Sequence, residues 1–257
     1  MNSPIGIFDS GVGGTSIWKQ IHSLLPFEDS LYLADNKNAP YGYKSKDEII
    51  ALSYKNTEFL LERNAKIIVV ACNTATTNAI KELRAKYDVN FIGIEPAIKP
   101  AALNSKTHKV GVLATQGTIN SALFSKSTAT FVDVQFIEQI GHNLVQLIEN
   151  GEMHSPEMTR LLQLYLQPMI DEDIDYLVLG CTHYPYLIPQ IEKILPKNIR
   201  IIDSGKAVAI QTKNILEHDN LLCHTSRKSK AAFYANGSTS VLQTLIGDEF
   251  LAIHKEF

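Results

Sequence analysis

Along the chain, short runs of near-continuous apolar residues alternate with longer stretches whose apolar positions recur every three or four residues. The runs are Ile5–Phe8, Ser30–Ala34, Lys66–Ala71, Asn90–Ile94, Lys109–Leu113, Val132–Phe136, Tyr176–Leu179 and Arg200–Ile202. Their shortness and β-branched content predict strands buried on both faces. The periodic stretches predict amphipathic helices over Asp47–Arg63, Thr74–Tyr87, Gly141–Asn150, Glu157–Ile170, Tyr186–Leu195 and Ala207–Leu216. Alternating strands and helices imply an α/β protein with a mainly parallel sheet and helices on both faces.

The pattern also repeats itself. Ile5-Gly6-Ile7-Phe8 returns as Val110-Gly111-Val112-Leu113, 105 residues later. Ile68-Val69-Val70-Ala71-Cys72-Asn73-Thr74 is echoed by Leu177-Val178-Leu179-Gly180-Cys181-Thr182-His183, 109 residues later. Each half thus holds an X-Gly-X strand and, further on, an apolar strand ending in cysteine. Chance resemblance between buried strands explains the strands alone; cysteines at equivalent ends favour a duplication. The expected architecture is two similar α/β domains related by a pseudo-twofold axis, each a mainly parallel sheet flanked by helices, with the active site in the cleft between them. Pro96 and Pro100 punctuate the chain near the expected boundary. The segment after Asp203-Ser204-Gly205 is expected to hold about one strand and two helices, too little for a third domain. It is expected to complete the first, giving domains 1–97 plus 208–257, and 98–207.

Composition narrows the function. A chain of 257 residues buries a sizeable core without disulfides or a structural metal. Its formal net charge of −3 argues against nucleic-acid binding by broad charge neutralisation. No apolar run approaches the roughly 18 residues that span a bilayer. Met1-Asn2-Ser3-Pro4 offers no basic leader, so a cytoplasmic, thiol-preserving compartment is expected. Three cysteines make no disulfide framework. Cys181-x-His183 with Cys72 supplies three ligands and no Cys-x-x-Cys pair, so no metal is expected.

In open parallel sheets, ligands bind beyond the carboxyl ends of the strands. Those ends carry Asp9-Ser10-Gly11-Val12-Gly13-Gly14, Cys72-Asn73-Thr74, Ala114-Thr115, Gly180-Cys181-Thr182-His183 and Asp203-Ser204-Gly205. The glycine segment is neither a P-loop nor Gly-x-Gly-x-x-Gly. It is either a tight turn into a helix or a backbone cradle for a small anion. A lone cysteine ending a strand is usually a small buried hydrophobe. Cys72 and Cys181 stand at matching positions before predicted helices, which favours the thiolate. Cys223 has no such context. Two thiols facing each other across a pseudo-twofold cleft suit removal of a proton from one face of a carbon and delivery to the other. Asp9 and His183 are their natural partners, or else a helix cap and a packed core histidine. A Cys–His hydrolase lacks a recognisable nucleophile elbow here.

These segments, together with Pro40-Tyr41-Gly42, Gly93 through Pro100, Gly111-Val112-Leu113-Ala114-Thr115 with Gly117-Thr118, and Leu179 through Pro185, resemble the glutamate racemases of the cofactor-independent aspartate/glutamate racemase superfamily. The likeness runs from residue 5 to about 210, in the family's order. It implies interconversion of L- and D-glutamate without cofactor or metal, supplying D-glutamate for peptidoglycan. It implies that Cys72 takes the proton from D-glutamate and Cys181 from L-glutamate, assisted by Asp9, His183 and Glu149, with Glu152 a neighbouring candidate for the last role. It implies that Ser10, Tyr41, Gly42, Asn73, Thr74, Thr115, Thr118 and Thr182 hold the substrate. A homodimer, with no nucleic-acid or membrane partner, is expected. His142-Asn143 stands where many members have Cys-Pro, and Asn38 where many have arginine. Two further readings stay open: an aspartate or hydantoin racemase of the same superfamily, and a redox or ligand-binding switch built on the two thiols.

Overall fold

The computed structural model describes residues 3–224 and 227–257. Met1 and Asn2, part of the segment read above for a leader, lie outside the described residues. The first half of the chain runs β1 (Ile5–Asp9), α1 (Thr15–Leu24), β2 (Ser30–Ala34), α2 (Lys46–Leu61), β3 (Ile67–Val70), α3 (Asn73–Lys86) and β4 (Phe91–Gly93). The second runs α4 (Ile98–Asn104), β5 (Lys109–Ala114), α5 (Gln116–Ile119), α6 (Ala122–Thr128), β6 (Gln135–Ile140), α7 (Leu144–Glu149), α8 (Pro156–Asp171), β7 (Tyr176–Gly180), α9 (Ile188–Ile194) and β8 (Arg200–Ile202). The chain closes with α10 (Gly205–His218), β9 (Ala231–Ala235), α11 (Ser240–Ile246) and β10 (Ala252–His254). Three 3₁₀ turns, Asn36–Asn38, Tyr41–Tyr43 and Tyr184–Leu187, lie between these elements.

Two sheets result, in the orders β10-β9-β2-β1-β3-β4 and β6-β5-β7-β8, and every pairing is parallel. The run β2-β1-β3-β4 of the first sheet follows the same order as β6-β5-β7-β8 of the second. Gly6 pairs with Leu31 and Ile68; Gly111 pairs with Ile137 and Leu177. The repeated X-Gly-X therefore occupies one position in both sheets. The physical reason is also repeated. A Cβ on Gly6 would lie 2.9 Å from Ala65 Cβ, and one on Gly111 would lie 2.7 Å from Ile174 Cδ1. Ala65 and Ile174 precede β3 and β7, so the same close approach recurs in each half.

The inner strands β1, β3 and β7 are buried along their whole length, which is why their sequences are continuously apolar. Helix starts follow local chemistry. Ser45 and Glu48 form a reciprocal capping box at α2, and Ser155 caps α8 ahead of Pro156.

Three expectations need correction. The strand read at Val132–Phe136 lies at Gln135–Ile140, because this edge strand is only half covered and Val132 is 88% exposed. The closing segment holds two strands rather than one, and β9 pairs with β2 in the first sheet. Helices α1, α4, α5 and α6 are additional; the last three are too short for periodicity to reveal. Helix α10 packs along α1 and spans residues 207 and 208, where the domain division was expected. Among the described residues, no helix is long and apolar enough to cross a membrane.

Candidate active site

The carboxyl ends of β1, β3, β5 and β7 converge on one small cavity. Its wall is Ser10, Pro40, Tyr41, Gly42, Cys72, Asn73, Thr74, Thr115, Val145, Cys181, Thr182 and His183. Both thiols are buried, at 4% and 6% exposure, one from each sheet's half of the molecule. Thr74 Oγ1 and Thr115 Oγ1 meet at 2.9 Å and close the two halves over the cavity. Thr118 stands behind that contact, its hydroxyl 3.0 Å from Thr115 Oγ1. Asp9 and Glu149 also lie behind the wall and touch residues that form it.

Asp9 ends β1, and the Gly11–Gly14 loop folds back around it. The Gly14 N–H donates to Asp9 Oδ2 at 2.6 Å, and Thr182 Oγ1 reaches the same oxygen at 3.4 Å. Ser10 bridges Asp9 and Cys72: its hydroxyl lies 3.5 Å from Asp9 Oδ1 and 3.6 Å from the Cys72 sulfur. The loop must be glycine where it is. A Cβ on Gly11 would overlap Glu149 Oε1 at 1.9 Å, and one on Gly13 would overlap His183 Nδ1 at 2.2 Å. Of the two readings of this segment, a tight turn or a cradle for a small anion, the structure shows a loop whose Val12 N–H is taken by the chain's own Glu149 Oε1 at 2.7 Å.

Cys72 caps α3 and accepts the Ala75 N–H at 3.4 Å. That placement was expected to favour the thiolate. Burial wins instead: it pushes the Cys72 thiol well above its ordinary range, reinforced by the nearby Asp9 charge, against the opposing N–H of Ala75. Cys72 therefore rests as a thiol.

Cys181 has the opposite partner. His183 Nδ1 lies 3.6 Å from its sulfur, and Nε2 lies 2.6 Å from Glu149 Oε1. Burial works against a charged ring, yet the hydrogen bonds and negative charges of Cys181 and Glu149 carry His183 well above its ordinary range. The charged ring donates from Nδ1 to the sulfur and from Nε2 to the carboxylate. The Gly13 N–H, 3.2 Å from Nε2, is left to serve a neutral ring.

Asp9 is pushed up to about 6, first by burial, with the His183 charge and the Gly14 N–H acting against it. A raised carboxyl binds more protons folded than unfolded, so its contribution to stability is present at low pH and lost as pH rises through about 6. Asp9→Asn should therefore flatten the fall in thermal stability between pH 3.8 and about 6, followed by calorimetry at fixed ionic strength. An unchanged slope in that window would remove Asp9 as its source.

Asn73 offers a buried amide to the cavity. It lines the cavity, is 3% exposed, and neither its Nδ2 nor its Oδ1 has a protein partner. A buried amide this isolated is costly unless something else completes its bonds. Pro40 and Val145 form apolar wall, and Tyr32 holds the glycine loop by donating to Gly11 O at 2.8 Å. Pro40 belongs to a segment the sequence marks; Val145 and Tyr32 do not. Cys223 lies away from the cavity, with its backbone N–H donating to Glu28 Oε1 at 2.6 Å. Among the described residues, no group of three or more His, Cys, Asp or Glu side chains is arranged to hold a metal ion.

Comparison with known proteins places this geometry. Residues 5–212 match the Asp/Glu/hydantoin racemase family. A glutamate racemase from Herpetosiphon aurantiacus is 46% identical over 222 residues, covering 86% of this chain and 87% of that one. Among solved structures, glutamate racemase isoform RacE1 from Bacillus anthracis superposes with a TM-score of 0.89 at 33% identity, covering 99% of this chain and 97% of that one. The Escherichia coli glutamate racemase in complex with L-glutamate and the activator UDP-MurNAc-ala superposes with a TM-score of 0.85 at 33% identity, covering 97% of each chain.

Proposed function

Because the chain belongs to the Asp/Glu/hydantoin racemase family, and is on that ground an amino-acid racemase, we propose that it interconverts L- and D-glutamate by passing protons between two thiols. The observation that carries this reading is the placement of Cys72 and Cys181 on one small buried cavity, from equivalent positions of two halves, with opposite electrostatic partners.

The electrostatics support one starting form. Burial keeps Cys72 protonated as the acid, and Cys181, 3.6 Å from His183 Nδ1, serves as the base. Bound L-glutamate then gives its α-proton to the Cys181 sulfur. The carbanionic α-carbon takes the Cys72 proton on its other face, and D-glutamate leaves. Cys181 is now the thiol and Cys72 the thiolate, the form that accepts D-glutamate. The α-hydrogen is far less acidic than a thiol, so the site must stabilise developing negative charge on the carboxylate with fixed donors. The hydroxyls of Ser10, Thr74 and Thr182 and the amide of Asn73 are suited to that task. His183 and Glu149 serve the Cys181 side; Asp9 and Ser10 serve the Cys72 side. No cofactor enters any step.

The same reading extends to D-glutamate supply for peptidoglycan, a cytoplasmic location, a homodimer, and two domains divided near residues 97 and 207. The names of the relatives favour glutamate over aspartate or a hydantoin as substrate. The decisive test follows circular dichroism of L- and D-glutamate, L- and D-aspartate and a hydantoin with the purified protein. Loss of optical activity with glutamate in both directions supports the reading. Preference for aspartate or the hydantoin overturns the substrate, and inactivity toward all three overturns the racemase.

A further inference from the structure

The loop between β2 and α2 carries Tyr41 and Gly42 to the cavity wall, yet the Tyr41 hydroxyl is committed elsewhere. It donates to Asp35 Oδ2 and accepts from Asn56 Nδ2 at 3.2 Å. Asp35 is fully buried, at 0% exposure, at the carboxyl end of β2. Its Oδ1 accepts from the side-chain amides of Asn38, at 2.7 Å, and Asn236. The Asp35 N–H donates to Asp9 O at 3.0 Å, and Asn236 Oδ1 accepts the Lys37 N–H at 3.0 Å. The Asp35 backbone thus ties this turn to β1, while its carboxylate ties Tyr41 to the end of β9 and the Tyr41 hydroxyl in turn reaches α2 through Asn56.

A buried carboxylate is expensive unless its oxygens are satisfied. Here neutral donors satisfy it, from elements far apart in sequence. Burial and the Asp35 charge push the Tyr41 phenol well above its ordinary range, so the hydroxyl stays a donor at all working pH. The cavity wall contains no lysine or arginine. An anionic substrate there must rely on neutral donors, whose strength depends on angle and distance. The first N–H groups of a 3₁₀ turn such as Tyr41–Tyr43 have no acceptor within the turn.

We propose that Asp35 is a positioning residue for substrate binding: through the Tyr41 hydroxyl it fixes the Tyr41–Tyr43 turn so that its backbone N–H groups meet a carboxylate of the bound amino acid. The inference rests on the glutamate reading above. Tyr41→Phe keeps the ring and removes only the hydroxyl. It should raise KM for both glutamate enantiomers about tenfold while kcat stays within about threefold, the loss of one buried hydrogen bond's worth of alignment. Asp35→Asn keeps an acceptor for only one side of the network, because its amide nitrogen must face either the Tyr41 hydroxyl or the amides of Asn38 and Asn236, and it should raise KM by a comparable factor. Asn38→Ala, which removes a half-buried donor to Asp35, should raise KM about threefold and carries the test should Tyr41→Phe fail to fold. A purely structural role would lower thermal stability and active fraction, hence apparent kcat, and leave KM within twofold; that result overturns the inference. Wild-type protein that does not racemise glutamate overturns the glutamate reading as well, so the two failures are distinct.

Discussion

Replacing either thiol by serine is expected to lower kcat/KM for glutamate racemisation by roughly 100-fold or more, the contribution typical of a positioned acid or base. Serine is nearly the same size, and its hydroxyl is far too weak an acid to take the place of a thiolate. At Cys72 it also preserves the helix cap, because serine accepts the Ala75 N–H as readily as sulfur does. Stability should therefore be almost unchanged, which separates lost chemistry from lost structure. Enantiomers have equal free energy, so kcat/KM must fall equally in both directions for each variant. Polarimetry or circular dichroism from each enantiomer, beside a thermal melt, measures this. Full racemisation by either single variant would rule out the paired thiols.

His183→Asn is expected to cost about 100-fold or more in kcat, with little change in KM. The ring is the cation 3.6 Å from the Cys181 sulfur, and no hydrogen bond of the substrate is assigned to it. Glu149 keeps the Val12 N–H as a partner at 2.7 Å, so the glycine loop has a remaining tie. The pH dependence should change as well. In the wild type His183 stays charged through neutral pH, because its partners raise it well above its ordinary range. The stabilisation it gives is present below that raised value and lost as pH rises through it. The variant has no such plateau, and its rate should climb with pH as unassisted thiol ionisation does. A variant within about tenfold of wild type and with the same pH profile would remove His183 from the proton-handling path.

Much of this site is legible in the sequence because of where it sits. Strands β1, β3, β5 and β7 are buried runs that announce themselves, and the residues that follow them meet at one cavity by the geometry of parallel sheets. The repeat is equally visible, since Gly6 and Gly111 answer the same close approach in each half. What fails is of two kinds. Edges mislead: β6 has only half-covered and exposed positions, so its apolar content does not mark its bounds. Long-range contacts are silent: Asp35 follows β2 as Asp9 ends β1, but the partners of its carboxylate, Asn38, Tyr41 and Asn236, come from separate turns and from the far end of the chain. The effect of burial on Cys72 is likewise invisible locally, where a helix start alone predicts the reverse.

The central claim is that two thiols act on opposite faces of one carbon, and deuterium incorporation tests it most directly. Each glutamate enantiomer is incubated in heavy water and sampled early, before the reverse reaction contributes. The account predicts deuterium at the α-carbon of the product enantiomer and protium in the recovered substrate, from both directions, because the proton delivered comes from a second thiol that has exchanged with solvent. Product that retains the substrate's own protium would show a single group carrying the proton across, and would contradict the account.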